Sequence, residues 1–312
     1  MRILQRTLIF VMMLNLSGCG RADEQQLVVV GNSWLGYQPF YMLSALHPEQ
    51  LPQNIELVML ASDNTVLRMV SNQAVQGSFL SLDNALAVQT TSGIDYCVAL
   101  ALSFSNGADA VVANSARWHD ASKTDWVVGM EDSPLARYML NRWLATQAID
   151  RSRIHTQLMS PSLHVDAMQR GSVDVIITYQ PFLQQLTMSG NEVIFSSTDI
   201  PGEVLDVLVF RLAYWQDHQQ RLQQLVSSWN QAISYLEQPT SEEFLALSTL
   251  SGLTTADIQQ ILAQIEFFNS QQSLAFLQSD YAAVAEIVST TIQASDNLAD
   301  VKALPICPGV TP

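Results

Sequence analysis

Over the first two thirds of the chain, short apolar runs alternate with stretches whose apolar residues recur every three to four positions. Runs 27–30, 55–60, 97–102, 110–113, 126–128, 173–178 and 193–196 are rich in aliphatic and β-branched side chains and predict strands. Between them, 64–72, 134–146 and 163–169 have the period of amphipathic helices. This rhythm predicts an α/β protein with parallel sheets and crossover helices. From Tyr214 onward the pattern turns helical, over 215–236, 241–247, 255–267 and 273–293. The glutamine-rich faces there (Gln219, Gln220, Gln223, Gln224; Gln271, Gln272) read as solvated helix surface. No internal repeat or low-complexity linker is visible.

Two segments break the rhythm, 105–114 and 201–211. Each joins a turn to a buried strand, as a chain does when it passes from one sheet to another. Residues 114–203 then form a second lobe inserted into a first lobe made of 19–113 and 204–312. The helical C-terminal segment packs on that first lobe. Ligands of open α/β sheets sit outside the carboxyl ends of the strands, so two facing sheets place a ligand cleft between the lobes.

The N-terminus changes the picture of where this protein works. Arg2 and Arg6 precede the apolar stretch 8–14, which is far shorter than the roughly 20 residues of a membrane span. Leu16-Ser17-Gly18-Cys19 follows and resembles the lipobox of bacterial lipoproteins. The resemblance implies removal of a signal peptide over 1–18, acylation of Cys19 with palmitate-type chains, and anchoring on the periplasmic face of a bacterial membrane. An ordinary secretory signal with a chance cysteine is the alternative. Gly20 stands where enteric lipoproteins carry an inner-membrane retention aspartate, which leaves inner and outer membrane both open.

Loss of Arg2 and Arg6 takes the formal charge from −15 to −17. No basic stripe remains to meet phosphate backbones, so nucleic acid is excluded as a partner class. Cys97 and Cys307 remain for an oxidising compartment, where either a bridge between them or a free buried Cys97 fits. No CxxC or Cys/His cluster suggests a metal, and no motif calls for a cofactor. GxSxG, HExxH and Walker patterns are missing, and 31–36 (GNSWLG) lacks nucleophile-turn spacing. His47, His119, His155, His164 and His218 are scattered and read as surface or loop residues.

Candidate binding residues follow the predicted strands. In Trp34-Leu35-Gly36-Tyr37-Gln38-Pro39, Trp34 and Tyr37 either floor a cleft or fill the core, with Tyr41 one helical turn on. Ser62-Asp63-Asn64-Thr65 and Ser81-Leu82-Asp83 read first as helix caps, with ligand contact through Asp63 and Asp83 as the alternative. In Ser105-Asn106-Gly107-Ala108-Asp109, Gly107 permits close backbone approach to a ligand, although a plain turn explains it as well. Glu131-Asp132-Ser133-Pro134 is the sharpest site: Ser133 can cap, Pro134 suits the first helical position, and the free N–H groups favour anions. Glu131 and Asp132 either complement that helix dipole or face the cleft. Asp206, alone in an apolar run, must find partners or stay hydrated.

Together with Tyr179-Gln180-Pro181-Phe182, and with Phe195-Ser196-Ser197-Thr198-Asp199-Ile200-Pro201-Gly202 leading into Val207-Leu208-Val209, these motifs cover residues 27–212 in order. The arrangement resembles the periplasmic substrate-binding proteins of the nitrate, sulfonate, taurine and thiamine-precursor ABC transporter family. The resemblance implies a two-lobed type II periplasmic binding protein fold. It further implies a monomeric, non-enzymatic protein that closes on a small solute and presents it to an ABC permease. The family often has an acidic residue where this chain has Gln180, and an amide both donates and accepts. Expected ligand-binding residues are therefore Trp34, Tyr37, Asp63, Asp83, Asn106, Gly107, Asp109, Glu131, Ser133, Tyr179, Gln180 and Asp206. Acids and aromatics dominate, and the nearest bases, Arg68 and Arg117, read as helix and loop surface. That favours a nitrogenous solute over a sulfonate. Two other roles fit the same fold: signalling of the bound state to a transmembrane sensor, and an enzyme of the thiamine-precursor type. The leader and the lack of a histidine- or cysteine-rich constellation disfavour the enzyme.

Overall fold

The computed structural model describes residues 26–238, 241–296 and 298–311. The leader and Cys19 lie outside the described residues. From the N-terminus, β1 (Leu27–Gly31), α1 (Gln38–Leu46), β2 (Ile55–Met59), α2 (Asp63–Ser71), β3 (Gly77–Ser81), α3 (Leu82–Ser92) and β4 (Tyr96–Ser105) begin one lobe. The other follows with β5 (Asp109–Ala113), α4 (Ser115–Trp118), β6 (Trp126–Met130), α5 (Pro134–Thr146), β7 (Ile154–Leu158), α6 (His164–Arg170), β8 (Val175–Tyr179), α7 (Phe182–Met188) and β9 (Glu192–Ser196). The chain then returns through β10 (Leu205–Arg211), α8 (Leu212–Ser234), α9 (Glu242–Ser251), α10 (Thr255–Leu262), β11 (Ile265–Phe267), α11 (Ser270–Ser279) and α12 (Tyr281–Asp296).

The first sheet has the order β11-β4-β10-β3-β1-β2 and the second β7-β6-β8-β5-β9. In each, three parallel strands adjoin one that runs the other way, β10 in the first sheet and β5 in the second, and the remaining lobe-crossing strands, β4 and β9, pair antiparallel with these two. The sheets are thus mixed, where the sequence rhythm predicted parallel ones. β5 pairs with β8 and β9, so the first crossover lies at 106–108 and not at 113/114. The boundary is shifted because β5 is as apolar as a first-lobe strand and only its partners reveal its sheet. The return crossover spans Ser197 to Val204.

Each sheet is covered on both faces, which is why its strands read as nearly continuous apolar runs. Leu208 and Phe210 of β10 face a core with Phe40, Phe79, Trp215, Leu225 and Trp229, while Leu205, Val207 and Val209 face Val30, Leu86 and Tyr281. Period-two alternation thereby puts Asp206 on the face of Leu208 and Phe210, at the end where the strand begins. The second lobe has its own outer core of Ala110, Val112, Ile176, Leu183 and Leu186.

The C-terminal helices depart from expectation in two ways. Segment 255–267, expected as one helix, ends at Leu262, and Ile265–Phe267 is captured by the edge of β4 as a short strand. Segment 273–293 is two helices divided at Asp280. In addition to the first lobe, α12 packs on α5 of the second lobe as well as on α3, so the segment spans the lobe junction. The tail returns to the first sheet: Val98 N–H donates to Pro305 O (2.9 Å), Cys307 N–H donates to Val98 O (2.9 Å), and a disulfide joins Cys97 to Cys307. No helix among the described residues is long and apolar enough to cross a membrane.

Candidate functional site

The site is built where strands end. After β1, Asn32 accepts the Trp34 N–H through Oδ1 (2.9 Å) and donates Nδ2 to Asp63 Oδ1 (2.8 Å), which fixes the turn carrying the first aromatics. Gly36 leaves room for the indole; a Cβ there would lie 2.3 Å from Trp34 Nε1. Trp34 Nε1 (2.9 Å) and Ser103 Oγ (2.8 Å) donate to Asp206 Oδ2, and the Tyr37 hydroxyl donates to Oδ1 (2.8 Å). Asp206 in β10 sits opposite Ser81, the last residue of parallel β3. Asp109 stands likewise opposite Tyr179, the last residue of β8 in the other lobe. Each lobe therefore offers an aspartate at the carboxyl ends of its parallel strands, where the topology changes direction.

Two small cavities of about 20 and 10 Å³ lie between the lobes. Asp63, Asp109, Leu135 and Tyr179 border both; Trp34, Tyr37, Asn32, Ser81 and Asp206 complete one, and Glu131, Ser133, His164 and Thr178 help complete the other. Each is about the size of a water molecule, so the facing surfaces of the two lobes lie in close contact. The contacts are direct: Glu131 Oε1 accepts the Asn64 N–H at the start of α2 (2.9 Å), and Trp34 meets Tyr179 edge-on at 6.2 Å between centroids. A larger groove of about 590 Å³ runs over α2, α3 and α5 outside the cleft. Its Arg68 donates to Asn64 Oδ1 and its Arg137 to Asp132 Oδ1, both within the protein.

The electrostatics of the cleft have one sign. Asp63, Asp83, Asp109, Glu131 and Asp206 are all at least nine-tenths buried. Burial pushes Asp109 and Asp206 up to about 7, even though Ser105 and the Tyr37–Ser103–Trp34 set respectively favour their charged forms. Burial likewise raises Asp63 against its bonds from Asn84 and Asn32, and raises Glu131, with the Asp63 charge adding to it. No Lys or Arg lines either cavity. Among the described residues no group of three or more His, Cys, Asp or Glu could hold a metal ion.

Of the expected binding residues, Trp34, Tyr37, Asp63, Asp109, Glu131, Ser133, Tyr179 and Asp206 line these cavities. Asp83 is buried at the start of α3 with Oδ2 unpartnered, but borders neither cavity. Asn106, Gly107 and Gln180 line neither cavity and lie at the first crossing between the lobes, where the Gln180 N–H donates to Ala108 O (2.9 Å). The Gly107 N–H donates to Ser197 Oγ (2.7 Å), and its φ of +102° needs the glycine. Gln264 ties the other two together, its carbonyl accepting the Asn106 N–H (2.8 Å) and its Oε1 accepting Gln180 Nε2 (2.9 Å). His164, read from sequence as surface, is buried and lines the larger cavity. A lone histidine carries no spacing signal, and only the packing of α6 on β8 reveals it.

Two sheets of like order, joined by two crossings and facing each other over buried acids and aromatics, make this a periplasmic binding protein fold. A family model, that of the NMT1-like family, matches residues 44–248, well over half of the chain, and the protein belongs to that family. The motif order had pointed to the same group. The alkanesulfonate-binding protein SsuA from Xanthomonas axonopodis pv. citri, bound to MOPS, is 17% identical, with 89% of this chain and 96% of that one covered at a TM-score of 0.72. The periplasmic aliphatic sulphonate binding protein SsuA from Escherichia coli is 14% identical, with 91% and 98% covered at 0.70. The Candida albicans CA3427 gene product, described as having the generic periplasmic binding protein fold, is 13% identical, with 89% and 92% covered at 0.69. At these identities the likeness is one of fold. No curated protein matches the sequence.

Proposed function

We propose that this protein is an extracytoplasmic solute-binding lipoprotein that captures a small cationic or otherwise nitrogenous solute by lobe closure and delivers it to an ABC importer. The observation that carries this reading is the set of buried carboxylates contributed by both lobes, walled by Trp34, Tyr37 and Tyr179 and without a Lys or Arg. Burying charge is costly unless it is paired, so an opposite charge between the lobes favours the closed state over the open one. The family membership and the structural neighbours, one of them described as the ligand binding component of an ABC-type import system from Staphylococcus aureus, support the transport role.

A sulfonate, which two of those neighbours are described as binding, fits this cleft poorly. It would meet Asp63, Asp109, Glu131 and Asp206 with no Lys or Arg to offset its charge, and the N-termini of α2 and α5, of the kind that bind anions elsewhere, already have acceptors. Asn64 N–H of α2 donates to Glu131 and Thr65 N–H to Ser62, while in α5 the Ala136 N–H donates to Ser133 and the Leu135 N–H to Asn84. Calorimetry and thermal shift with matched amine, pyrimidine and sulfonate solutes test the assignment. Amines or pyrimidines should raise the unfolding temperature by mass action and sulfonates should not. Tight sulfonate binding with no response to amines or pyrimidines overturns it.

The lipid anchor rests on the Leu16-Ser17-Gly18-Cys19 sequence, and two or more acyl chains hold a protein firmly at a membrane. Wild type should partition into detergent and Cys19→Ala should not. A fully soluble exported wild type without acyl mass removes the anchor from the proposal.

A further inference from the structure

The two sides of the cleft differ in how their polar atoms are satisfied. Around Asp206 the protein completes the carboxylate's own network, with three donors on it, and, among the described residues, leaves Ser81 Oγ as the one unpartnered polar side-chain atom that belongs to that cavity alone. On the other side, Glu131 Oε2, His164 Nε2 and Tyr179 Oη are buried and have no partner. His164 is 1% exposed, Glu131 4% and Tyr179 7%, and all three border the same cavity. The imidazole is held by Nδ1 at 3.0 Å from Thr178 Oγ1, which leaves Nε2 for the cavity. Leu135, Ala136, Met139 and Ile177 make the rest of that wall apolar.

Buried polar atoms without partners are uncommon in native proteins, and each one calls for a partner. Burial holds His164 neutral, with its pKa lowered to about 4. A neutral imidazole and a phenol each exchange one hydrogen bond, and Glu131, raised to about 8 by burial and the Asp63 charge, accepts N–H donors as the carboxylate and donates O–H when protonated. The complementary ligand group is polar, compact and bears N–H.

Resting on the cationic-solute reading, we propose that Glu131, His164 and Tyr179 form a second recognition subsite for a neutral N–H-bearing group, such as a carboxamide or an arylamine. The solute is then two-ended. Its cationic centre lies with Asp63, Asp109 and the aromatics toward Asp206, and its second nitrogen group reaches His164. Selectivity among amines is set at this far end, because a site built to exchange hydrogen bonds rejects an analogue that lacks them.

The test titrates wild type, His164→Leu and His164→Gln with amines of equal heavy-atom count that differ at one end: 4-aminobutanamide against hexylamine, and 4-aminobenzylamine against 4-methylbenzylamine. In wild type the nitrogen-ended member of at least one pair should bind about ten- to a hundredfold more tightly. His164→Leu should bring that ratio close to one while keeping the affinity for the methyl-ended partner. His164→Gln, which returns a polar terminus, should recover part of the ratio and reports on the subsite should the leucine variant not fold. Equal or weaker binding of both nitrogen-ended amines by wild type overturns the proposal, as does a ratio unchanged in His164→Leu. If none of these amines binds while other cations do, the two-ended solute falls and the cationic reading stands. If no cation binds, both fall.

Discussion

Asp109→Asn is expected to raise the unfolding temperature of the unliganded protein at pH 8, to leave it nearly unchanged at pH 4, and to weaken cationic solute binding. Asp109 is buried, borders both cavities, and is pushed up from 3.8 to about 7, mainly by burial. Its folded-state pKa is raised above the unfolded value, so the native protein binds the extra proton. Its contribution to stability is therefore fully present below about pH 4 and is lost as pH rises through about 7. One pKa unit corresponds to about 1.4 kcal/mol, which makes the loss at pH 8 on the order of 2–4 kcal/mol. Asparagine carries no charge and escapes that loss. The same substitution removes a charge-assisted partner of the solute, which costs about 2–5 kcal/mol of binding free energy. Denaturant titrations at pH 4 and 8, with calorimetry at pH 8, check both halves. A variant that is less stable at pH 8, yet binds as wild type does, refutes the assignment of Asp109 to the cleft.

Wild type should show the corresponding linkage. A cation between the lobes favours the charged carboxylates and lowers their pKa values, so binding releases protons. Affinity should accordingly rise from pH 5.5 to pH 8, across the range in which Asp109 and Asp206 titrate. Calorimetry in two buffers of different ionisation enthalpy measures the protons released directly. On the proposed function, the acids whose burial weakens the empty closed form should strengthen the occupied one.

What could be read from sequence follows from distance along the chain. Trp34, Tyr37, Asp63, Glu131 and Ser133 lie just after strands that local pattern predicts, so their arrival at one end of a sheet follows from the α/β rhythm. Asp206 was marked by chemistry, as a carboxylate in an apolar run. Its pairing was not, because Ser103 is 103 residues away and Tyr37 169, and no local rule pairs them. Asn84 was overlooked on the same ground; it shares Asp63 with Asn32 from 21 residues away. Asn106, Gly107 and Gln180 fall at the lobe crossing and outside the two cavities, and a turn that carries a chain between sheets has the same composition as one that approaches a ligand. The two sheets share the order of three parallel strands flanked by an antiparallel crossing strand, yet no repeat is visible in the sequence. Apolar runs of different composition can fill equivalent strand positions, since packing needs volume and period more than identity.

The largest expected change in stability comes from separating Cys97 and Cys307, both of which are at most 1% exposed. The disulfide spans a sequence separation of 210, so its loss frees a very long loop in the unfolded chain. Cys97→Ala/Cys307→Ala should lower the unfolding free energy by about 2–5 kcal/mol. The fold should survive, because the tail is also held by backbone bonds to Val98, by Trp215 Nε1 donating to Pro308 O (2.9 Å) and by the Tyr281 hydroxyl donating to Leu304 O (3.0 Å). Tyr281 begins α12, which lies against α5 across the lobe junction, so loosening the tail reaches the contacts between the lobes. Neither cysteine borders the cavities, so the intrinsic contacts to a solute stay the same. Denaturant titration of the double variant, and of wild type with and without reductant, gives the stability; calorimetry gives the affinity. Reduced wild type should match the double variant. Two alkylatable thiols in the native exported protein, together with equal stability of variant and wild type, would show that the bridge does not form.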